Sequence, residues 1–290
     1  MKKVAIITDS IASIPPEVVK KYDITISPLH AIMDGKDYLD TTINRTEKEQ
    51  IYQRIMSRQN LPTSAAPVPA EVLQAFKQIS QKGIKSIAYI TMTTGFSATY
   101  KFGLQAKEMA KEELPGIAIE VLDTQTVAGG QALVVIEAAK VASQGKSLAE
   151  VVEVANKIKQ KVTEFWIPDA LFYFDKGGRL GRAKPLAGSP VPLAVVLAAN
   201  VSTGGVVNPA SKHRTVAKAV ENAVLLMKQR SQNKKLHVVV GHIFKPDSAE
   251  ELKQKVLSLC QPVELYFNEN SIVTGVLNGP YVDLGFFTED

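Results

Sequence analysis

With 290 residues, 45% hydrophobic and 22% charged, the chain has the make-up of a soluble globular protein long enough for a substantial core and for two domains, which excludes intrinsic disorder. Its net charge of +5, from 34 Lys and Arg against 29 Asp and Glu, is mild and scattered along helices, which argues against nucleic acid as a partner. The single cysteine, Cys260, excludes an internal disulfide framework and a multi-cysteine zinc site, fits a reducing cytosol, and reads as a small buried apolar residue.

The amino-terminal stretch "MKKVAIITDS" pairs basic residues with an apolar run too short for a secretory signal, and "PLAVVLAA" (192–199) is too short to span a membrane, so a cytoplasmic location is expected. "KVAIIT" (3–8), "SIAYIT" (86–91) and "IAIEVLD" (117–123) read as buried strands, each followed by a turn and a helix. Their carboxyl ends are expected to line one edge of a parallel sheet, where ligands of such sheets collect. Helix starts are signalled by capping-box spacings at "TEKE" (46–49), "SLAE" (147–150) and "SAEE" (248–251). "QALVVIEAAKVA" (131–142) is apolar on nearly every side and is expected to be a helix sandwiched between layers.

After a helix at 148–162 the texture changes to Gly, Pro, aromatics and short apolar runs, which places a domain boundary there, dividing the chain into 1–163 and 164–290. A second α/β unit follows, with helices at 214–229 and 249–259, strands at 237–244 and 263–267, and a closing segment "GPYVDLGFF". No internal repeat or low-complexity tract is present.

Four loops carry concentrated polar or glycine signals. At 8–10, "TDS" ends the first strand, and Asp9 or Ser10 would shape a turn before a helix opened by proline at 15. In "LPTSAAPVPAEV" (61–72), Pro69 suits the first turn of a helix capped by Val68, which leaves the hydroxyls of Thr63 and Ser64 too far upstream to cap it. In "TMTTGFSATY" (91–100), Ser97 precedes apolar positions at helical spacing and is a natural cap, while Thr94 and its neighbours add hydroxyls at a helix amino terminus suited to an anion. "DKGGRLGR" (175–182) sets Lys176, Arg179 and Arg182 on one glycine-bent loop, which suits either an exposed turn or recognition of an acidic group. No P-loop, dinucleotide GxGxxG, HExxH or GxSxG is present, and His30, His213, His237 and His242 show no metal-ligand spacing, so neither a cofactor nor a metal is expected.

In this order and spacing, over nearly the whole chain, these loops resemble the DegV family: "TDS" after the first strand, "LPTSAAPVP" where the family typically has TSQPSP, "TTGFSATY" where it has SSGLSGTY, "DT" at 123 and 124, and "KGGRLG" nearly unaltered. The resemblance implies a two-domain α/β fold, with an amino-terminal Rossmann-like parallel-sheet domain and a second α/β domain with a mixed sheet. It further implies a non-catalytic carrier that holds a long-chain fatty acid in a tunnel between the domains and presents its carboxylate to an ATP-dependent fatty acid kinase subunit. The family's carboxylate-binding hydroxyls fall on Thr63 and Ser97, with Ser64 and Thr94 beside them; its Gly-Gly-Arg loop brings Arg179, and its Lys-x-Arg segment falls on "KHR", bringing Arg214. Leu277, in "GVLNGPYV" (275–282), stands where many members have the His of a His-Thr-Gly-Pro-Gly run; Ala65 replaces Gln, and Pro185, Pro190 and Pro192 stiffen a segment usually richer in aliphatics.

Two other classes remain open from the residues alone. One is a small hydrolase or transferase using Asp9, Ser97 and Asp123 on a phosphorylated or carboxylated metabolite, which needs an activating base near Ser97 that no His evidently supplies. The other is a regulatory module whose ligand is not a lipid.

Overall fold

Alternating runs of buried β-branched residues and helices build a parallel sheet first. The computed structural model describes residues 3–188 and 193–290, so Pro190 and Pro192 lie outside the described residues. Strands β1 (Ala5–Asp9) and β2 (Ile24–Ser27) enclose helix α1 (Pro16–Tyr22), and a small antiparallel sheet follows from β3 (His30–Met33), β4 (Lys36–Leu39) and, after helix α2 (Arg45–Ser57), β5 (Thr63–Ala65). Helix α3 (Pro69–Gln81), β6 (Ser86–Thr91), α4 (Thr99–Glu113) and β7 (Ala118–Asp123) complete a four-stranded sheet ordered β2-β1-β6-β7 and parallel throughout. The central strands β1 and β6 alternate between two packed layers, which is why they read as apolar runs, whereas the edge strand β7, expected to be buried, leaves Ala118 and Glu120 exposed. Ala5, Ile7, Ile87 and Tyr89 pack on α3 and α4, whereas Ile6, Ala88 and Ile90 face the other way.

That other side is covered by α5 (Ala128–Ser143) and α6 (Leu148–Lys161). A six-stranded mixed sheet begins at β8 (Thr163–Pro168) and continues through β9 (Ala194–Ala199), β10 (Asn208–His213), β11 (Leu236–Ile243), β12 (Glu264–Glu269) and β13 (Tyr281–Thr288), in the order β10-β9-β8-β13-β11-β12. Only β11 and β12 run parallel. Between these strands lie α7 (Leu171–Lys176), α8 (Lys184–Ala187), α9 (Val216–Ser231), α10 (Pro246–Cys260) and α11 (Ile272–Asn278), with α9 and α10 covering the face turned away from α5. Helix α5 is thus clamped between two sheets, touching β1 on one side and Val239 and Phe287 on the other. Its all-round apolar sequence is the consequence.

Three local expectations are corrected. The box at the start of α2 is formed by Asn44 and Glu47, not Thr46 and Glu49, because Asn44 supplies the better cap and Arg45 already turns helically: Asn44 Oδ1 accepts from Thr46 and Glu47, and Glu47 accepts from the Asn44 N–H at 3.2 Å. Helix α10 begins at Pro246, a residue suited to a first turn, so Ser248 lies inside it and caps nothing. Cys260, at the end of α10, is half-exposed. The box at Ser147 and Glu150 forms as expected. Ser147→Ala is therefore expected to cost about 1 kcal/mol, read from the urea midpoint; an unchanged midpoint would show the cap to be dispensable.

Candidate functional site

Pro69 does open α3, with Val68 as its cap residue and the Glu71 carboxylate accepting the Val68 N–H at 2.8 Å. The hydroxyls upstream are consequently spared. Thr63 and Ser64 lie on β5, the edge strand that pairs with β3 (Ile32 with Thr63, Ala31 with Ser64), and among the described residues neither hydroxyl has a hydrogen-bond partner. Strand β5 faces the glycine corner after α7 and the end of α11. Between them is a cavity of about 180 Å³, lined by Thr63, Ser64, Tyr173, Lys176, Arg179 and Leu277, with Leu61, Pro62, Gly177 and Val276.

Arg179 ties this mouth to the loop after β6. Its Nε donates to the Phe96 carbonyl at 3.2 Å and its guanidinium also donates to the Gly177 carbonyl, so its direction is fixed before any ligand arrives. Partial burial lowers its pKa from the ordinary arginine value, and an anion at the mouth would offset that cost while the guanidinium stays charged. Ser97 follows Phe96 directly. Its Oγ lies 2.8 Å from Thr99 Oγ1 and accepts the Thr99 N–H at 3.3 Å, one residue ahead of the cap position, which Ala98 occupies. Thr94 is exposed and donates to Asp123 Oδ2 at 3.0 Å, while Arg214 is exposed just beyond β10 and does not line the cavity. Thr63, Ser64 and Arg179 therefore meet at one mouth; Ser97 adjoins it through Phe96, and Thr94 and Arg214 stand outside it.

Tyr173, Lys176 and Leu277 complete the mouth. Lys176 and Leu277 are legible as a loop cation and a family departure, but Tyr173 is hidden in an aromatic-rich segment. Tyr173 OH donates to the Ile55 carbonyl at 3.3 Å, and the Arg58 guanidinium lies 4.9 Å above the ring of Phe172 and 5.5 Å above that of Tyr173, adding a cation to the rim. Behind the mouth, Tyr173, Val276 and Leu277 join one continuous apolar cluster that runs through Phe96, Phe174 and Leu180 to Trp166 and Leu197 on the six-stranded sheet. Phe96 and Phe174 pack against Trp166 at 5.7 and 6.3 Å between ring centres. The cavity itself is smaller than the roughly 300–1,000 Å³ usual for ligand pockets, so a large ligand would enter by parting these side chains.

Each residue of the enzymatic alternative is engaged by other partners. Asp9 is fully buried and accepts the N–H groups of Ile11 at 3.1 Å and Met92 at 2.8 Å, a brace between β1 and the end of β6, and burial raises its pKa to about 6. Asp123 accepts from Thr94 and from the Gln125 N–H, and the hydroxyl of Ser97 faces that of Thr99. Folding also creates a group the spacing of histidines does not reveal: Glu137, His237 and Glu264 each bring one potential metal-ligand atom within 4.8 Å of the others. Lys140 Nζ already bridges the two carboxylates at 2.7 and 2.6 Å, and His237 joins Glu264 to Glu289 at 2.9 and 3.1 Å, so the group links α5 to the sheet edge. No helix among the described residues is long and apolar enough to cross a membrane.

Two sheets around one buried helix, with a hydroxyl- and cation-lined mouth beside an apolar cluster, define a layered α/β protein. The family model described as an uncharacterised protein of the DegV family matches residues 3–287, and the chain belongs to that family. The DegV domain-containing protein CPE0304 of Clostridium perfringens is 31% identical over 254 residues, covering 87% of each chain. Among solved structures, a fatty-acid-binding DegV family protein from Thermus thermophilus superposes with a TM-score of 0.88 at 22% identity, covering 99% of this chain and 100% of that one. A stearic-acid-binding protein from Eubacterium ventriosum gives 0.88 at 23% identity, covering 99% and 98%.

Proposed function

We propose that this protein is a non-catalytic carrier of a long-chain fatty acid. The carboxylate sits at the mouth, hydrogen-bonded by Thr63 with Ser64 beside it and by Ser97 reaching in from the adjoining loop, whose Thr94 lies outside the mouth, and the acyl chain runs into the apolar cluster, along a tunnel between the units 1–163 and 164–290. The observation that carries this reading is the meeting of Thr63, Ser64 and Arg179 in one cavity whose inner wall belongs to a continuous apolar cluster. Solved relatives described as binding fatty acids, one of them stearic acid, support the ligand class.

Magnitudes divide the labour. Burying an acyl chain of about sixteen carbons at roughly 0.8 kcal/mol per CH₂ gives a gross gain on the order of 10 kcal/mol, and each charge-assisted hydrogen bond adds about 1.5 to 3 kcal/mol. Chain burial sets affinity, and the hydroxyls set which end faces out. Replacing Thr63 and Ser97 together by Ala is expected to leave the fold intact and to lower the lipid retained through purification; unchanged lipid content in the double variant would overturn the assignment.

The carboxylate so held is presented, in the cytoplasm, to an ATP-dependent kinase partner, with Arg179 and Arg214 guiding the partner or the transferred phosphoryl group. Leu277 gives the mouth an apolar wall where many family members carry His. The partnership is tested apart from binding by mixing loaded protein with a purified fatty acid kinase and ATP: acyl phosphate is the expected product, and its absence with a kinase active on another carrier would restrict the role to binding.

A further inference from the structure

Helix α11 joins the mouth to a polar seam on the far side of the same helix. All seven of its residues are buried, so the N–H groups of its first turn need partners inside the protein. One such partner is the Ser271 Oγ, which accepts the Val273 N–H at 3.1 Å and is itself held by a side chain from the other half of the chain. Asp40, following β4, accepts from the Ser271 hydroxyl. Ser13 adds to the seam: its Oγ accepts the Ser271 N–H at 2.9 Å, and its carbonyl accepts from Asn268.

The other end of α11 is seated without slack. A Cβ on Gly177 would stand 2.8 Å from the Leu277 carbonyl oxygen, and one on Gly279, where φ is +67°, would stand 2.1 Å from the Tyr173 ring. Seven residues at 1.5 Å each make a rod of about 10 Å, with Asp40 at one end and the corner that aims Arg179 at the other. Displacing the amino end must move Leu277, Gly177 and Tyr173 together. Beside Asp40 and Ser271 lies a cavity of about 320 Å³, through which water can replace the seam's hydrogen bonds when they break.

We propose that Asp40 is the positioning residue of the mouth: by anchoring the amino end of α11 it fixes Val276 and Leu277, and thereby sets how fast a bound acyl chain leaves. The effect on release rests on the fatty-acid reading above, whereas the anchoring does not.

Amide hydrogen exchange of the full chain, followed by mass spectrometry, reads the anchor directly; stopped-flow release of a fluorescent long-chain fatty acid reads its consequence. In Asp40→Asn the amides of α11 are expected to exchange about tenfold faster, as for loss of a charged partner at a helix end, and release is expected to accelerate in step. Ser271→Ala, which removes the cap through which Asp40 acts, should move both in the same direction. Val256→Ala, in the core under α10 and away from α11, supplies a control with a comparable fall in Tm and is expected to change neither. If α11 exchange in both Asp40→Asn and Ser271→Ala matches wild type, or if Val256→Ala accelerates it equally, the anchor is refuted. If wild type takes up no fatty acid, the carrier reading fails and the exchange measurement alone decides the anchor.

Discussion

Replacing Gly285 by Ala is expected to destabilise the protein by about 3 kcal/mol or more, at the upper end for overpacking a core, lowering Tm by roughly 5–10 °C. Gly285 lies on β13 where α5 presses against the six-stranded sheet. A Cβ there would stand 2.4 Å from the carbonyl carbon of Gly129, 2.6 Å from the nitrogen of Gly130 and 2.8 Å from Glu164 Oε2. The first two are backbone atoms at the start of a helix clamped on both sides, so neither can turn aside as a flexible side chain would. Gly188→Ala provides the comparison: no atom lies within 4 Å of its Cβ, and stability should change by less than about 0.5 kcal/mol. Equal unfolding midpoints for the two variants would mean that α5 and β13 are not in the contact described.

Stability should also fall as pH rises from about 4 to about 7. Glu164 and Asp283 are both fully buried on neighbouring strands beneath the start of α5; Glu164 accepts the Gly130 N–H at 2.7 Å, and Asp283 accepts from Asn270 at 2.6 Å. Burial and the neighbouring Asp283 charge hold the Glu164 carboxyl well above the usual range, and burial raises Asp283 to about 6, as it does Asp9. A carboxyl whose folded-state pKa is raised gives its stabilisation below the unfolded value and loses it as pH climbs through the folded one. The shift from 3.8 to about 6 in Asp9 or Asp283 corresponds to about 3 kcal/mol for each group once ionised. The exposed carboxylates of Glu150 and Asp290, lowered to about 2 by hydrogen bonds from the Ser147 backbone and from Lys157, act in the opposite sense, between about pH 2 and the ordinary carboxylate values, and so mainly below the range in which the buried carboxyls ionise. Urea unfolding across this range is expected to show the fall, and Glu164→Gln with Asp283→Asn should flatten it. A wild-type stability that rises from pH 4 to 7 would contradict the assignment of buried, protonated carboxyls.

The parts of this architecture legible in the sequence are those whose burial leaves a one-dimensional signature. β1 and β6 are covered on both faces and read as nearly unbroken apolar runs, whereas β7, at the sheet edge, is only half buried, with Ala118 and Glu120 exposed; α5, clamped between sheets, reads as apolar all round. The spare hydroxyls of Thr63 and Ser64 are legible because Pro69 fixes where α3 starts. Strand β5, by contrast, is three residues long and made by pairing with β3, thirty residues away, so "TSA" carries no pattern of its own. Strand β10, "NPASKH", has no alternation and contains a proline; it exists because β9 offers it an edge. Helix α11 is hidden for the reason that makes it useful: "IVTGVLN" is short, contains Gly, and its cap, Ser271, is held in place by Asp40, more than two hundred residues earlier. The mouth inherits this. Arg179 and the hydroxyls are legible as loop chemistry, but Tyr173 joins them only through the docking of α7 on α11.

The central claim, that the apolar interior behind Thr63 and Arg179 holds a fatty acid, is tested most directly by its contents. Protein purified from a bacterial host is denatured, extracted into organic solvent, and the released acids identified by mass spectrometry against a mock purification. A near-stoichiometric long-chain fatty acid is the expected result; an empty extract from well-folded protein would contradict it.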